Sequence, residues 1–95
     1  MVLSAYYFDG DPAALVPACD GLATTFPPAA LELQTCIVTA RGITVYDACP
    51  TRAVFEEFHR GVVFRSAVAA AGLPLPRVEP LGEVHRAVAR RGVAR

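Results

Sequence analysis

The chain opens on Val2–Phe8, a run rich in β-branched and aromatic side chains that predicts a strand. Asp9-Gly10-Asp11-Pro12 ends it. Asp11 is placed to cap a helix whose first position is Pro12, where a missing N–H costs nothing. Leu15, Cys19, Leu22 and Phe26 then recur at spacings of four, three and four, which is one face of a helix. Pro17 lies inside this segment and removes a hydrogen bond, so a bend or a short first turn is expected. Pro27-Pro28 closes it. Leu31–Ala40 and Ile43–Ala48 read as two strands joined through a tight turn at Arg41-Gly42, a hairpin.

Cys49-Pro50-Thr51 starts a second helix, with Phe55, Phe58 and Val62 on one face. Gly61 interrupts it. Val63, Ala67, Val68 and Ala71 continue the apolar pattern at a rotated phase, so a kink or break is expected near Gly61. Gly72 supplies a C-cap and Pro74 forbids continuation. Leu73–Pro80 carries three prolines and is expected to be extended. Leu81–Val88 predicts the last strand, and residues 89–95 are expected to fray.

The order β-α-β-β-α-β predicts a single α+β domain over residues 1–95. Its arrangement is the ferredoxin-like split βαβ: a four-stranded antiparallel sheet with two helices on one face. Such a sheet normally alternates an apolar inner face with a polar outer one. Here Val2, Ser4, Tyr6 and Phe8 oppose Leu3, Ala5, Tyr7 and Asp9 on the first strand. Leu33, Thr35 and Ile37 oppose Gln34, Cys36 and Val38 on the second, and Ile43, Val45 and Asp47 oppose Thr44, Tyr46 and Ala48 on the third. Neither face reads as a surface made for water, and helices cover only one. An uncovered apolar face of several hundred Å² is an interface by default, since covering it is worth ~25 cal/mol per Å². A two-fold homodimer with sheets packed face to face is the simplest expectation.

Composition narrows the function classes. Hydrophobic residues make up 54% of the chain, too many for a disordered protein. Nine basic residues balance nine acidic ones, so no basic excess argues for nucleic acid. No apolar run approaches the ~20 residues of a membrane span. No basic segment followed by an apolar one opens the chain, so no secretory signal and a cytoplasmic location are expected. There is no Lys, Asn or Trp. Charge is uneven: residues 77–95 carry five Arg against two Glu, and Arg90, Arg91 and Arg95 cluster in the segment expected to fray. Cys19, Cys36 and Cys49 form no CxxC pair and their number is odd, so each is expected to be reduced and to pack as a small hydrophobe.

The run from Ile43 to Phe64, with Pro50, Ala53, Phe55, Gly61, Phe64 and Arg65 as its markers, resembles the dimeric α+β barrel superfamily. In particular it is similar to the antibiotic-biosynthesis-monooxygenase-like members. That resemblance implies a homodimer and a ligand held within each protomer between sheet and helices. It also implies chemistry drawn from cofactor-free oxygenases of polyketide quinols, polyketide cyclases, lactone isomerases, haem-degrading enzymes, or members without catalysis. The chain departs from the pattern in having no Trp or Asn, and in carrying Val68 where haem-binding members place a His. Neither haem nor another cofactor is therefore expected.

Candidate chemistry rests on few residues. His85, placed on the last strand beside Leu81, Glu83 and Ala87, reads as a general base or acid, or as a histidine at an edge or dimer rim. His59 lies mid-helix among charges, four residues from Phe55 and next to Phe58, and reads as a pocket-rim group or a half-exposed one. Asp47, at the end of the third strand, reads as a cap or turn residue, or as a carboxylate that orients a His or holds a ligand hydroxyl. Tyr6 and Tyr7 must point to opposite faces, so at most one lines a given pocket. Tyr46 reads as a phenol donor to a developing oxyanion and Tyr7 as a substrate contact, with core packing the alternative role for two of the three tyrosines. Phe55, Phe58 and Val62 are expected to shape the cavity. Two His with no carboxylate at ligand spacing make a metal site unexpected. GxGxxG, P-loop, GxSxG and HExxH motifs are absent.

The expected function is a small homodimeric, cofactor-free enzyme acting on a hydrophobic cyclic or polyketide-like metabolite by cyclisation, isomerisation or monooxygenation. The alternative is a non-catalytic ligand-binding or interaction module of the same fold. An enclosed cavity of a few hundred Å³ touching His85 or His59 would favour the enzyme, and the lack of one would favour the module.

Overall fold

The computed structural model describes residues 1–25 and 33–88. Its elements run β1 (Val2–Asp9), α1 (Pro12–Ala23), β2 (Leu33–Thr39), β3 (Gly42–Cys49), α2 (Arg52–Arg60), α3 (Val62–Ala70) and β4 (Arg77–Glu83). All pairings are antiparallel and the sheet order is β2-β3-β1-β4. This α+β architecture, with its four-stranded antiparallel sheet, is consistent with the ferredoxin-like arrangement.

Local chemistry explains the helix boundaries. The Ala13 N–H donates to the Asp11 carboxylate at 3.0 Å, with Pro12 opening the first turn. Thr51 caps α2 by accepting from the Val54 N–H at 3.1 Å. At Gly61 the backbone turns extended (φ −71°, ψ 152°), so the expected kink is a full break and the second helix is two, α2 and α3. A Cβ at Gly61 would stand 3.0 Å from the Glu57 carbonyl oxygen, so the close approach of the two helix ends suits a residue without a side chain. The β2–β3 turn falls on Ala40 and Arg41, and Gly42 is already the first residue of β3. Gly42 has φ +149°, and a Cβ there would collide with the Phe8 carbonyl oxygen on the neighbouring strand.

One expectation is corrected. The last strand begins at Arg77 rather than Leu81 and ends at Glu83 rather than Val88. Pro80 is tolerated because β4 is an edge strand, and Leu81 bulges between the pairs Leu3↔Gly82 and Ser4↔Pro80. Beyond Glu83 the chain leaves the sheet once the Val84 N–H has bonded the Met1 carbonyl at 2.8 Å. The second strand begins at Leu33 among the described residues. The readings that concern Phe26, Pro27-Pro28, Leu31 and the Arg90–Arg91–Arg95 cluster lie outside them.

Register decides which side chains share a face. Ser4, Tyr6 and Phe8 pair with Asp47, Val45 and Ile43, and Gln34, Cys36 and Val38 sit beside these on β2. This face carries the core, in which Tyr6, Phe8, Ile43, Val45 and Cys49 pack against Leu15, Cys19, Leu22, Phe55, Phe64 and Val68 from the three helices. The opposite face presents Leu3, Ala5 and Tyr7, Thr44, Tyr46 and Ala48, and Leu33, Thr35 and Ile37. Ala5 and Ala48 have no exposed surface although no helix covers them, because larger neighbours crowd over them. Leu33 (39% exposed) and Ile37 (44%) project from the edge strand. The open face is less uniformly apolar than its alternation suggests. At its β4 end the Tyr7 hydroxyl donates to Glu79 at 2.8 Å, and the Arg77 guanidinium lies 4.0 Å above the Tyr7 ring.

Candidate functional site

The central strands β1 and β3 place two polar side chains, Tyr6 and Asp47, on the face that packs against helices. Strand alternation forces this: each shares its parity with the core residues Phe8 and Val45. Both are buried, Tyr6 at 1% exposure and Asp47 at 4%. Among the described residues, neither the Tyr6 hydroxyl nor the Asp47 Oδ1 has a hydrogen-bond partner. Buried polar atoms of this kind are uncommon in native proteins, and each one left unpaired costs stability.

The two groups line a narrow cleft between sheet and helices. Its apolar walls include Leu22 of α1, Phe58 of α2 and Phe64 of α3, and Gln34 and Cys19 complete the polar lining. The Phe64 ring sits 5.5 Å from Tyr6 and 5.0 Å from Phe58. The enclosed space is about 30 Å³, room for water rather than for a ring. Phe58 and Phe64 lie on either side of the Gly61 break, so the aromatic wall belongs to two short helices rather than to one rigid rod.

Electrostatics follow from burial. Burial lifts the Asp47 carboxyl from its ordinary 3.8 to about 6, with the Gln34 side chain acting in the opposite, smaller sense. The Tyr6 phenol is pushed well above its usual value, first by burial and then by the Asp47 charge. Tyr6 therefore remains a proton-bearing donor at neutral pH, while Asp47 titrates close to it. The Ser4 hydroxyl donates to the Asp47 backbone carbonyl at 3.4 Å, which ties β1 to β3 at this level.

The residues singled out from the sequence do not converge. Asp47 and Phe58 line the cleft. Asp47 is not the terminal cap residue one reading made it: β3 continues to Cys49. Tyr7 and Tyr46 lie on the open face of the sheet. Phe55 is fully buried under α2, where its ring stacks on His59 at 4.5 Å. Val62 opens α3 and points away from the core at 75% exposure, because the break at Gly61 ends the periodicity that placed it beside Phe58. His59 lies 3.2 Å from the Glu56 carboxylate, which Arg52 and Arg60 also approach at 3.2 and 3.1 Å. His59 and then Arg52 hold that carboxyl below its usual range. His59 faces an open depression of about 250 Å³ with Arg65, Leu75 and Pro76. His85 is not on a strand: it follows β4, exposed, beside a shallow depression of about 400 Å³ along Leu3 and Leu81 to Arg86. Neither histidine touches the cleft.

Gln34, Cys19 and Phe64 are among the lining residues that the sequence did not single out, and of the pair Tyr6 and Tyr7 it is Tyr6, not Tyr7, that lines the cleft. The signal for Tyr6 was present in its shared parity with Phe8. It became usable only once the helix-covered face was known. Among the described residues no three of His, Cys, Asp and Glu gather as a metal site, and no helix is long and apolar enough to cross a membrane. Comparison with family models, with curated proteins and with solved structures finds no match.

A stability measurement isolates Asp47. Its carboxyl is held above the unfolded value, so both states are protonated well below pH 4 and no penalty applies. Between about pH 4 and 6 the unfolded chain ionises first, and native stability falls by up to ~3 kcal/mol, a loss that persists above pH 6. Glu56 acts with the opposite sign, but it is common to wild type and variant. Asp47→Asn should therefore match the wild type near pH 4 and exceed it by roughly 1–3 kcal/mol at pH 8 in urea unfolding. A variant less stable than the wild type at pH 8 would contradict the assignment.

Proposed function

We propose that the protein is a homodimeric, cofactor-free enzyme of the α+β barrel kind that moves a proton on a compact, largely apolar substrate in the cleft beside Asp47. The observation that carries this reading is the buried Asp47 carboxyl. It has an unpartnered oxygen and a pKa near 6, and it lies beside the equally unpartnered Tyr6 hydroxyl. A base works best when its pKa lies near the operating pH. A buried carboxyl that weakens the fold is poorly explained by packing alone.

In this scheme Asp47 Oδ1 accepts a proton from carbon next to a substrate carbonyl. The electron pair moves onto the carbonyl oxygen, and Tyr6 donates a hydrogen bond to the charge that develops there. Where a carbon–carbon double bond is conjugated with the enolate, return of the proton to its far carbon shifts that double bond and completes an isomerisation; alternatively the carbanion attacks a second carbonyl, and the proton held by Asp47 passes to the alkoxide so formed, completing a cyclisation. Leu22, Phe58 and Phe64 exclude water. Admission of a ring requires the Phe58–Phe64 wall to move outward about Gly61. In this scheme the base is Asp47, in place of the histidine expected from the sequence, and His85 and His59 have no part.

A second reading has its own support. A cleft of about 30 Å³ and two histidines outside it fit a non-catalytic binding or interaction module of the same fold. Exchange of solvent deuterium into cyclohexanone, a compact cyclic ketone, separates the two. The enzyme reading expects exchange catalysed by the wild type and slowed roughly a hundredfold in Asp47→Asn. Equal rates for the two proteins would favour the module.

The dimer rests on the open face of the sheet, where Leu3, Tyr46, Leu33 and Ile37 have no helix over them. Sedimentation at micromolar concentration should show a two-chain species for the wild type and single subunits for Ile37→Asp. A wild type that sediments as a single subunit would exclude face-to-face pairing.

A further inference from the structure

Cys19 and Cys36 were expected to be independent small hydrophobes, but the fold brings them together. Cys19 lies on the sheet-facing side of α1, buried and lining the cleft. Cys36 stands on the helix-facing side of β2, directly across from Val45, which lines the same cleft. α1 packs on β2, and the two thiols are close enough to influence each other. Burial first, and then the Cys36 thiol beside it, push the Cys19 thiol up to about 12. Their exposures differ: Cys36 is open to solvent, whereas Cys19 is covered. Cys49, the third cysteine, is buried in the core on β3.

We propose that Cys19 and Cys36 form a peroxide-sensitive dithiol that closes to a disulfide between α1 and the edge strand β2, at the wall of the cleft. The exposed member reacts first. The Cys36 thiolate attacks one oxygen of hydrogen peroxide, the O–O bond breaks, and the departing hydroxide takes a proton to become water. Cys36 is then a sulfenic acid, oxidised by two electrons. The Cys19 sulfur attacks that sulfur, the S–O bond breaks, and the hydroxide leaves as water with the Cys19 proton. Overall, two thiols give one disulfide and the peroxide gives two waters. Cys19 resists direct attack because it is covered and protonated, so the order of events is set by exposure. The product ties the start of the sheet's edge to α1 beside Gln34 and Leu22, both of which line the cleft. This inference does not depend on the proton-transfer reading.

The test treats the reduced full chain with hydrogen peroxide and measures intact mass, followed by a non-reducing digest. The wild type should lose two hydrogens, with the Cys19 and Cys36 peptides joined, and dithiothreitol should reverse the change. Cys49→Ser should behave like the wild type. Cys36→Ser, a change at an exposed position, should leave Cys19 reduced at peroxide doses that close the wild type. Amide hydrogen exchange should slow in α1 and β2 of the oxidised form only. Three results would overturn the proposal: oxygen added at Cys36 without loss of hydrogen, a disulfide that joins two chains through Cys36, or a bridge to Cys49.

Discussion

A carboxyl taken out of water without a partner for one of its oxygens is the constraint on which the account of this protein turns. Asp47 stands on a central strand, under helices, among aromatic and aliphatic side chains. Its desolvation raises its pKa and weakens the native state wherever the carboxyl is ionised, and its charge adds to the rise that burial already imposes on Tyr6. The same burial that costs stability strengthens any interaction the group makes, because an interaction in a low dielectric is stronger than in water.

The surrounding fold holds this pair in place. Each of the strands β1 and β3 has a strand on both sides, so Tyr6 and Asp47 stand on the two most firmly paired elements of the sheet. The walls are less uniform. Two helices meet at Gly61 between the aromatic residues that close one side, and on the other α1 and an edge strand each carry a free thiol. A rigid floor with walls made of separate pieces suits a site that must exclude water and still admit a ligand.

Most of the architecture was legible in the chain because it depends on local signals. The Asp11-Pro12 helix start, the Thr51 start of α2, the interruption at Gly61 and the hairpin around Gly42 each rest on chemistry confined to a few residues. The last strand was displaced because three prolines argue against pairing, whereas an edge position and a bulge at Leu81 accommodate Pro80. The site was less legible for a related reason. Asp47 and Phe58 line the cleft, but Tyr7, Tyr46, Val62 and both histidines were chosen by residue type and element. Their faces depend on which side of the sheet the helices cover and on a helix break that changes phase. The proximity of Cys19 and Cys36 is a tertiary fact with no trace in their spacing.

The most direct measurement is a carbon-13 NMR titration of the Asp47 carboxyl in the full chain. A midpoint near pH 6, moving when Gln34 is replaced, is the result that a dry, functional carboxyl requires. A midpoint near 4, the range of a solvated aspartate, would mean that the cleft is wet and that Asp47 is an ordinary polar residue of the sheet.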